Sequence, residues 1–183
     1  DLERCFKFID VSAEVGCSAV KFQLFKIDQL FAAEVLTHPK FQNKKRDWEL
    51  PLEFIPELKR RCLERGVQFG CTPFYLDAVS ELEPYVDFYK IASYELNWTE
   101  LVRRCAKTKK PLVISTGMST FDEIDQAVQA AINSGCMDLT VLHCVSGYPT
   151  PIDEANLAVL ATYAERYQQK LISIKFGWSD HSR

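Results

Sequence analysis

Residues 112–144 read LVISTGMSTFDEIDQAVQAAINSGCMDLTVLHC. Leu112 to Ser115 is a short apolar run that suits a buried strand, and a hydroxyl-rich turn follows it. Phe121 to Asn133 carries apolar residues at helical spacing and is stopped at Gly135; Leu139 to Cys144 is a second strand. A strand, a helix and a strand joined by short links require parallel strands and a right-handed crossover.

The same unit recurs in both directions. Toward the N-terminus the pattern predicts a helix over Leu2 to Val15 ended by Gly16, a strand over Ala19 to Phe25, and a long polar stretch from Lys26 to Glu49. A helix from Pro51 to Arg65 follows, then Gly66, a strand over Gln68 to Cys71, a helix over Leu76 to Leu82, a strand over Phe88 to Ile91 and a helix over Trp98 to Ala106. Pro73 is expected to end regular pairing after Cys71. Beyond Cys144 come a helix over Glu154 to Tyr167 and a strand over Ile172 to Phe176.

Two parallel folds compete. An open doubly wound sheet binds its ligand at a switch point, usually through a glycine-rich first turn, whereas a (β/α)8 barrel spreads polar residues over many strand ends. The chain has no GxGxxG and no P-loop, and nearly every strand ends in a polar cluster. The expectation is therefore an α/β fold of the (β/α)8 TIM type with about six of its eight strands, truncated at both ends, with residues 1–183 as one domain.

Composition excludes several function classes. The chain is 47% hydrophobic and 26% charged, enough for a sizeable core, with no Gly/Ser linker or low-complexity tract. A net charge of −3 lacks the cationic footprint of a nucleic-acid binder, and the basic cluster Lys44 to Arg46 reads as a solvated loop. No apolar run reaches the ~18 residues of a membrane span and Asp1 to Arg4 shows no signal pattern, so a soluble, cytoplasmic protein is expected. Seven cysteines without a CxxC pair read as reduced, mostly buried thiols.

The strand ends carry the candidate chemistry. Lys21 and Gln23, two apart, share a strand face; a lysine there meets an anion or a carboxylate, or sits at an outer edge. Thr72 follows the next strand. Lys90, Ser93 and Glu95 form a group in which the carboxylate can move a proton or simply make an internal ion pair. Ser115, Thr116 and Gly117 supply hydroxyls and a flexible backbone at a turn, which binds phosphate or caps a helix through Ser119 or Thr120. His143 reads as a hydrogen-bonded core histidine, followed by Ser146 and by Tyr148, whose phenol faces the mouth or packs on Pro149. Ser179, Asp180 and His181 follow the last strand; His181 is a candidate metal ligand, with Asp180 as its orienting neighbour. His38 lies in the polar stretch and is expected to be exposed.

Taken in order, AVKFQLFK, FGCTPF, YKIASYE, LVISTGM, LHCVSGYPTP and GWSDHS resemble the sialic acid synthases and their legionaminic and pseudaminic acid relatives over nearly the whole chain. The resemblance implies condensation of phosphoenolpyruvate with the open-chain aldehyde of an N-acetylated amino sugar such as N-acetylmannosamine, with a divalent metal, Mn2+ first and Mg2+ second. It implies that Lys21, Thr72, Lys90, Ser93, Ser115 and Ser179 hold phosphoenolpyruvate. Gln23, Glu95 and Tyr148 match the sugar side, with Glu95 and Tyr148 as the catalytic candidates; Ser146 stands where relatives carry asparagine or serine, and His181 matches one of two metal-binding histidines.

The family's first strand, second histidine and antifreeze-like C-terminal domain have no counterpart in these residues, so the expectation is the central part of a longer, homodimeric enzyme whose fragment alone is inactive. The stretch from Lys26 to Glu49 reads as a substrate cover without a specificity code. The rival readings are another phosphoenolpyruvate-dependent 3-deoxy sugar acid synthase, and a non-catalytic barrel remnant that binds sugar or protein.

Overall fold

A computed structural model describes residues 1–38, 48–170 and 172–182. The chain divides into two compact units, 1–88 and 89–183. The basic cluster Lys44 to Arg46 lies outside the described residues, as does much of the expected cover.

In the first unit, α1 (Leu2–Glu14) is capped by the Asp1 side chain, which accepts from the backbone N–H of Glu3. β1 (Ala19–Leu24) follows. The polar stretch is not plain loop: it holds two short helices, α2 (Ile27–Leu30) and α3 (Ala33–Thr37). Glu49 accepts from the Ile27 N–H at 2.6 Å and so ties the two ends of that stretch together. A 3-10 turn at Leu52–Phe54 leads into α4 (Ile55–Arg65), which ends on Gly66 in the left-handed conformation at φ 70°. β2 (Gln68–Pro73) and α5 (Ala78–Leu82) complete the unit.

β1 and β2 are parallel, with Lys21 opposite Gly70 and Gln23 opposite Thr72. The expected end of β2 at Cys71 is corrected here: pairing runs on through Leu24 and Pro73, because the next N–H, that of Phe74, donates to the Leu24 carbonyl at 3.0 Å. Proline lacks a donor but sits at the strand's last position, where none is needed. Gly70 is required by close packing, since a Cβ there would lie 2.1 Å from the Phe88 ring. Ile9, Leu24, Ile55, Leu58, Cys62 and Phe69 form the buried core of this unit. On its surface Asp10 of α1 makes a two-pronged contact with Arg61 of α4, at 2.7 and 2.9 Å.

The second unit contains β3 (Phe88–Ile91, beginning one residue earlier), α6 (Thr99–Lys107), β4 (Leu112–Ser115), α7 (Phe121–Asn133), β5 (Leu139–Cys144), α8 (Val159–Tyr167) and β6 (Ile174–Ser179). β3, β4, β5 and β6 pair in chain order, all parallel. Thr120 caps α7 and Glu123 reaches back to the Thr120 N–H, a reciprocal box that fixes where the helix starts. Leu101, Val102, Leu112, Ile114, Val128 and Val141 are buried between helices and strands.

Two expected boundaries move. β6 is not Ile172 to Phe176; it extends to Ser179, because Gly177, Trp178 and Ser179 pair with Leu142, His143 and Cys144. α8 begins at Val159 and not at Glu154, because Ile152–Glu154 forms a separate 3-10 turn and Asn156 takes a left-handed φ of 43° that breaks the helix. Among the described residues no helix is long and apolar enough to cross a membrane.

Candidate active site

The residues singled out in sequence fall at or near the C-terminal ends of strands in both units. In the first, Lys21 and Gln23 line a groove of about 810 Å³ together with Arg4, Phe8, Trp48 and Glu49. Lys21 is half-buried and Gln23 is exposed. Thr72 is fully buried and does not line that groove; its Oγ1 has no hydrogen-bond partner among the described residues. A buried hydroxyl left unpaired is costly, and such atoms are where a ligand completes the protein.

In the second unit, Ser93 and Glu95 form a 3-10 turn straight after β3. Burial raises the Glu95 carboxyl from 4.5 to about 7, against the opposing pull of a backbone hydrogen bond and of Lys90. Lys90 is lowered, again by burial first, with Glu95 among the groups opposing the shift. The two groups therefore share a site in which each charge depends on the other. Among the described residues Glu95 Oε2 is inaccessible and unpartnered, as are Ser115 Oγ at the end of β4 and Ser146 Oγ after β5. Ser93 Oγ accepts a hydrogen bond from the Gly117 N–H at 3.0 Å.

Behind these lies a fixed layer. Thr116 Oγ1 donates to the Leu142 carbonyl at 2.9 Å, so the Tyr163 hydroxyl, also at 2.9 Å, must be the donor to Thr116. His143 is a core histidine, as its position in the strand implies: it is buried, with Nε2 2.8 Å from the Ala155 carbonyl. Ser119 and Thr120 divide as the turn allows, with Thr120 acting as the cap. The sequence carried no signal for the Tyr163 contact, because it joins residues 47 apart on separate elements.

At the end of β6, His181 Nδ1 is 3.0 Å from the Val145 carbonyl. A carbonyl only accepts, so Nδ1 carries the proton, and in the neutral ring that leaves the Nε2 lone pair for a metal. The orienting partner is thus Val145 and not Asp180, whose carboxylate accepts from the Ser182 N–H at 2.8 Å. Tyr148 is exposed and stacks on His181. Ser179 pairs with Cys144 as the last residue of β6 and is half-buried. The Thr150 N–H donates to the His181 carbonyl at 2.9 Å, pinning the loop after β5 to the segment after β6. Among the described residues no group of three His, Cys, Asp or Glu is placed to hold a metal. One suitable ligand is not by itself a metal site.

Parallel strands in chain order, each ending in hydroxyls, a lysine or a carboxylate, define an α/β chain of the TIM-barrel class, with six strands. The chain belongs to the NeuB family, whose profile it matches over residues 8–183. It is similar to the spore coat polysaccharide biosynthesis protein SpsE of Bacillus subtilis, at 30% identity over 99% of this chain and 50% of that one. It is also similar to the N,N'-diacetyllegionaminic acid synthase of Campylobacter jejuni, at 29% identity over 100% of this chain and 57% of that one. A crystal structure of the N-acetylneuraminic acid (sialic acid) synthetase of Leptospira borgpetersenii superposes on it with a TM-score of 0.88 and 28% identity, covering 100% of this chain and 61% of the other. The chain spans about half the length of the curated relatives it matches.

Proposed function

We propose that the protein condenses phosphoenolpyruvate with the open-chain aldehyde of an N-acetylated amino sugar such as N-acetylmannosamine, giving a nonulosonic acid and inorganic phosphate. The observation that carries the reading is a half-buried carboxyl pushed to about 7 beside a depressed lysine, in a unit where Ser115 and Ser146 at strand ends present hydroxyls without partners among the described residues. Phosphoenolpyruvate brings a phosphate and a carboxylate, and both call for lysine and hydroxyl donors. In this reading Lys90, Ser93, Ser115 and Ser179 hold phosphoenolpyruvate, as do Lys21 and Thr72 on the strength of the resemblance; Gln23 and Tyr148 face the sugar.

The enol carbon attacks the aldehyde carbon, forming the new C–C bond while the aldehyde oxygen takes a proton. Glu95, about half protonated near pH 7, donates it. Water then adds to the neighbouring carbon, its proton passing to the Glu95 carboxylate; that carbon's bond to the phosphate oxygen then breaks as its hydroxyl oxygen closes the keto C=O, and the hydroxyl proton leaves with the phosphate. Lys90 favours the ionised Glu95 that follows donation and so helps the carboxyl to turn over. The metal proposed is Mn2+, with Mg2+ as the alternative; it would supply Lewis-acid polarisation of the aldehyde. Among the described residues this chain offers it His181 Nε2.

In this reading the full-length enzyme is a cytoplasmic homodimer. The proposal is tested in the full-length enzyme by phosphate release from phosphoenolpyruvate with three acceptors: N-acetylmannosamine, a diacetamido sugar and a phosphorylated aldose. Turnover with a neutral N-acetylated sugar is expected. Turnover with the phosphorylated aldose alone would establish the 3-deoxy sugar acid reading, and sugar binding without phosphate release would establish a non-catalytic role.

A further inference from the structure

Gly117 stands in the turn after β4, and its backbone does not explain why it is glycine. The left-handed residue of that turn is Met118, at φ 61°, and Gly117 is not among the glycines with positive φ. Space explains it. A Cβ on Gly117 would lie 2.3 Å from Ser146 Oγ, 2.9 Å from Ser93 Oγ and 3.3 Å from the Cys144 carbonyl oxygen, the first two inside any normal contact. Two hydroxyls, from the ends of β3 and β5, thus converge on the bare face of one residue at the end of β4.

The hydrogen bond there assigns a proton. The Gly117 N–H donates to Ser93 Oγ at 3.0 Å. Ser93 is therefore the acceptor in that pair, and its own hydroxyl proton has no acceptor among the described residues. Ser146 Oγ is inaccessible and also unpartnered among those residues. Each hydroxyl holds one proton that folding has left unassigned.

We propose that Gly117 is a positioning residue: its missing side chain lets the Ser93 and Ser146 hydroxyls close over it, and its N–H turns the Ser93 proton outward, so that both hydroxyls donate to one oxygen of an anionic substrate group. The inference rests on the proposed function, which makes phosphoenolpyruvate the molecule bearing that oxygen. Thr116, whose proton goes to the Leu142 carbonyl, takes no part.

The test is a mutant cycle read by calorimetric Kd for phosphoenolpyruvate, with KM for the acceptor sugar alongside. Gly117→Ala should weaken phosphoenolpyruvate binding at least about tenfold, the loss of one hydrogen bond to a charged group, while leaving the sugar KM within about twofold. In the Ser93→Ala/Ser146→Ala background the same change should alter phosphoenolpyruvate affinity by less than about twofold, because a residue that acts through two hydroxyls has nothing to act on once they are gone. That background also removes both clashing oxygens, so the triple variant folds even if Gly117→Ala alone does not, and its affinity should equal that of the double variant. A further loss of tenfold in the triple variant, or an equal loss for sugar and phosphoenolpyruvate in Gly117→Ala, overturns the inference alone. Absence of phosphoenolpyruvate binding by the unmodified protein overturns the proposed function and this inference together.

Discussion

The Tyr148 ring lies on the His181 imidazole, with centroids 4.3 Å apart and planes tilted by 35°. Val145 holds one ring nitrogen of His181, which also lies 3.9 Å from Cys144 Sγ, and the stacked phenol restrains the plane of the ring. Tyr148→Phe should keep the upfield ring-current shift of the His181 Cε1–H signal, and Tyr148→Ala should lose it. Identical spectra for the two variants would show that the stack does not persist in solution. In the assay, Tyr148→Phe should raise the acceptor-sugar KM by roughly tenfold, the contribution of one hydroxyl, and leave that for phosphoenolpyruvate unchanged.

The Glu95 carboxyl, raised by burial from 4.5 to about 7, makes both stability and rate depend on pH. Its folded value lies above its unfolded value, so between pH 4.5 and 7 the folded state binds more protons. Its stabilising contribution is fully present below pH 4.5 and is lost as pH rises through 7. Glu95→Gln removes the charge: its melting temperature relative to the unmodified protein should rise between pH 5 and pH 8. The rate profile of the unmodified protein should show a limb near 7 that the variant lacks, with kcat lower by about 10²–10⁴. Lys90→Met should move that limb upward, since Lys90 favours the ionised form.

Thr72 is fully buried with an unpartnered hydroxyl, so the ligand-free fold is less stable for carrying it. Thr72→Val should raise unfolding free energy by about 1 kcal/mol in denaturant titration while weakening phosphoenolpyruvate binding. Gain of stability with no loss of binding would remove Thr72 from the site.

Asp125 links α7 to α8. It accepts from Arg166 Nε at 3.0 Å and from the Tyr167 hydroxyl at 2.7 Å, and Tyr167 is itself buried. Asp125→Ala strands that hydroxyl and should cost about 1–3 kcal/mol; Asp125→Asn keeps an acceptor for it and should cost less. Equal losses would assign the contribution to the Arg166 ion pair instead.

How far the sequence could be read depended on what ended each element. β3, β4, β5 and α7 match their expected bounds residue for residue, since apolar runs there are cut off by Pro111, the Thr120 cap and Gly135. The apolar run places the end of β6 at Phe176, yet partner strand β5 is long enough to carry it to Ser179. In the same way the N-terminal turn of α8 depended on the backbone angle of Asn156, which composition does not encode. Of the candidate site, the residue types and their places at strand ends were legible. Which hydroxyls lack partners was not, and neither was the replacement of Asp180 by the Val145 carbonyl behind His181, because both depend on atoms brought together across strands.

Met118 and Gly117 stand side by side with their conformational roles exchanged: the left-handed angle falls on the methionine, and the neighbour without a side chain has an ordinary one. A library randomised at both positions and selected for turnover should therefore drift freely at 118, where glycine relieves about 1 kcal/mol of backbone strain, and return almost nothing but glycine at 117. Of two adjacent codons, the tolerant one is the one whose backbone is strained.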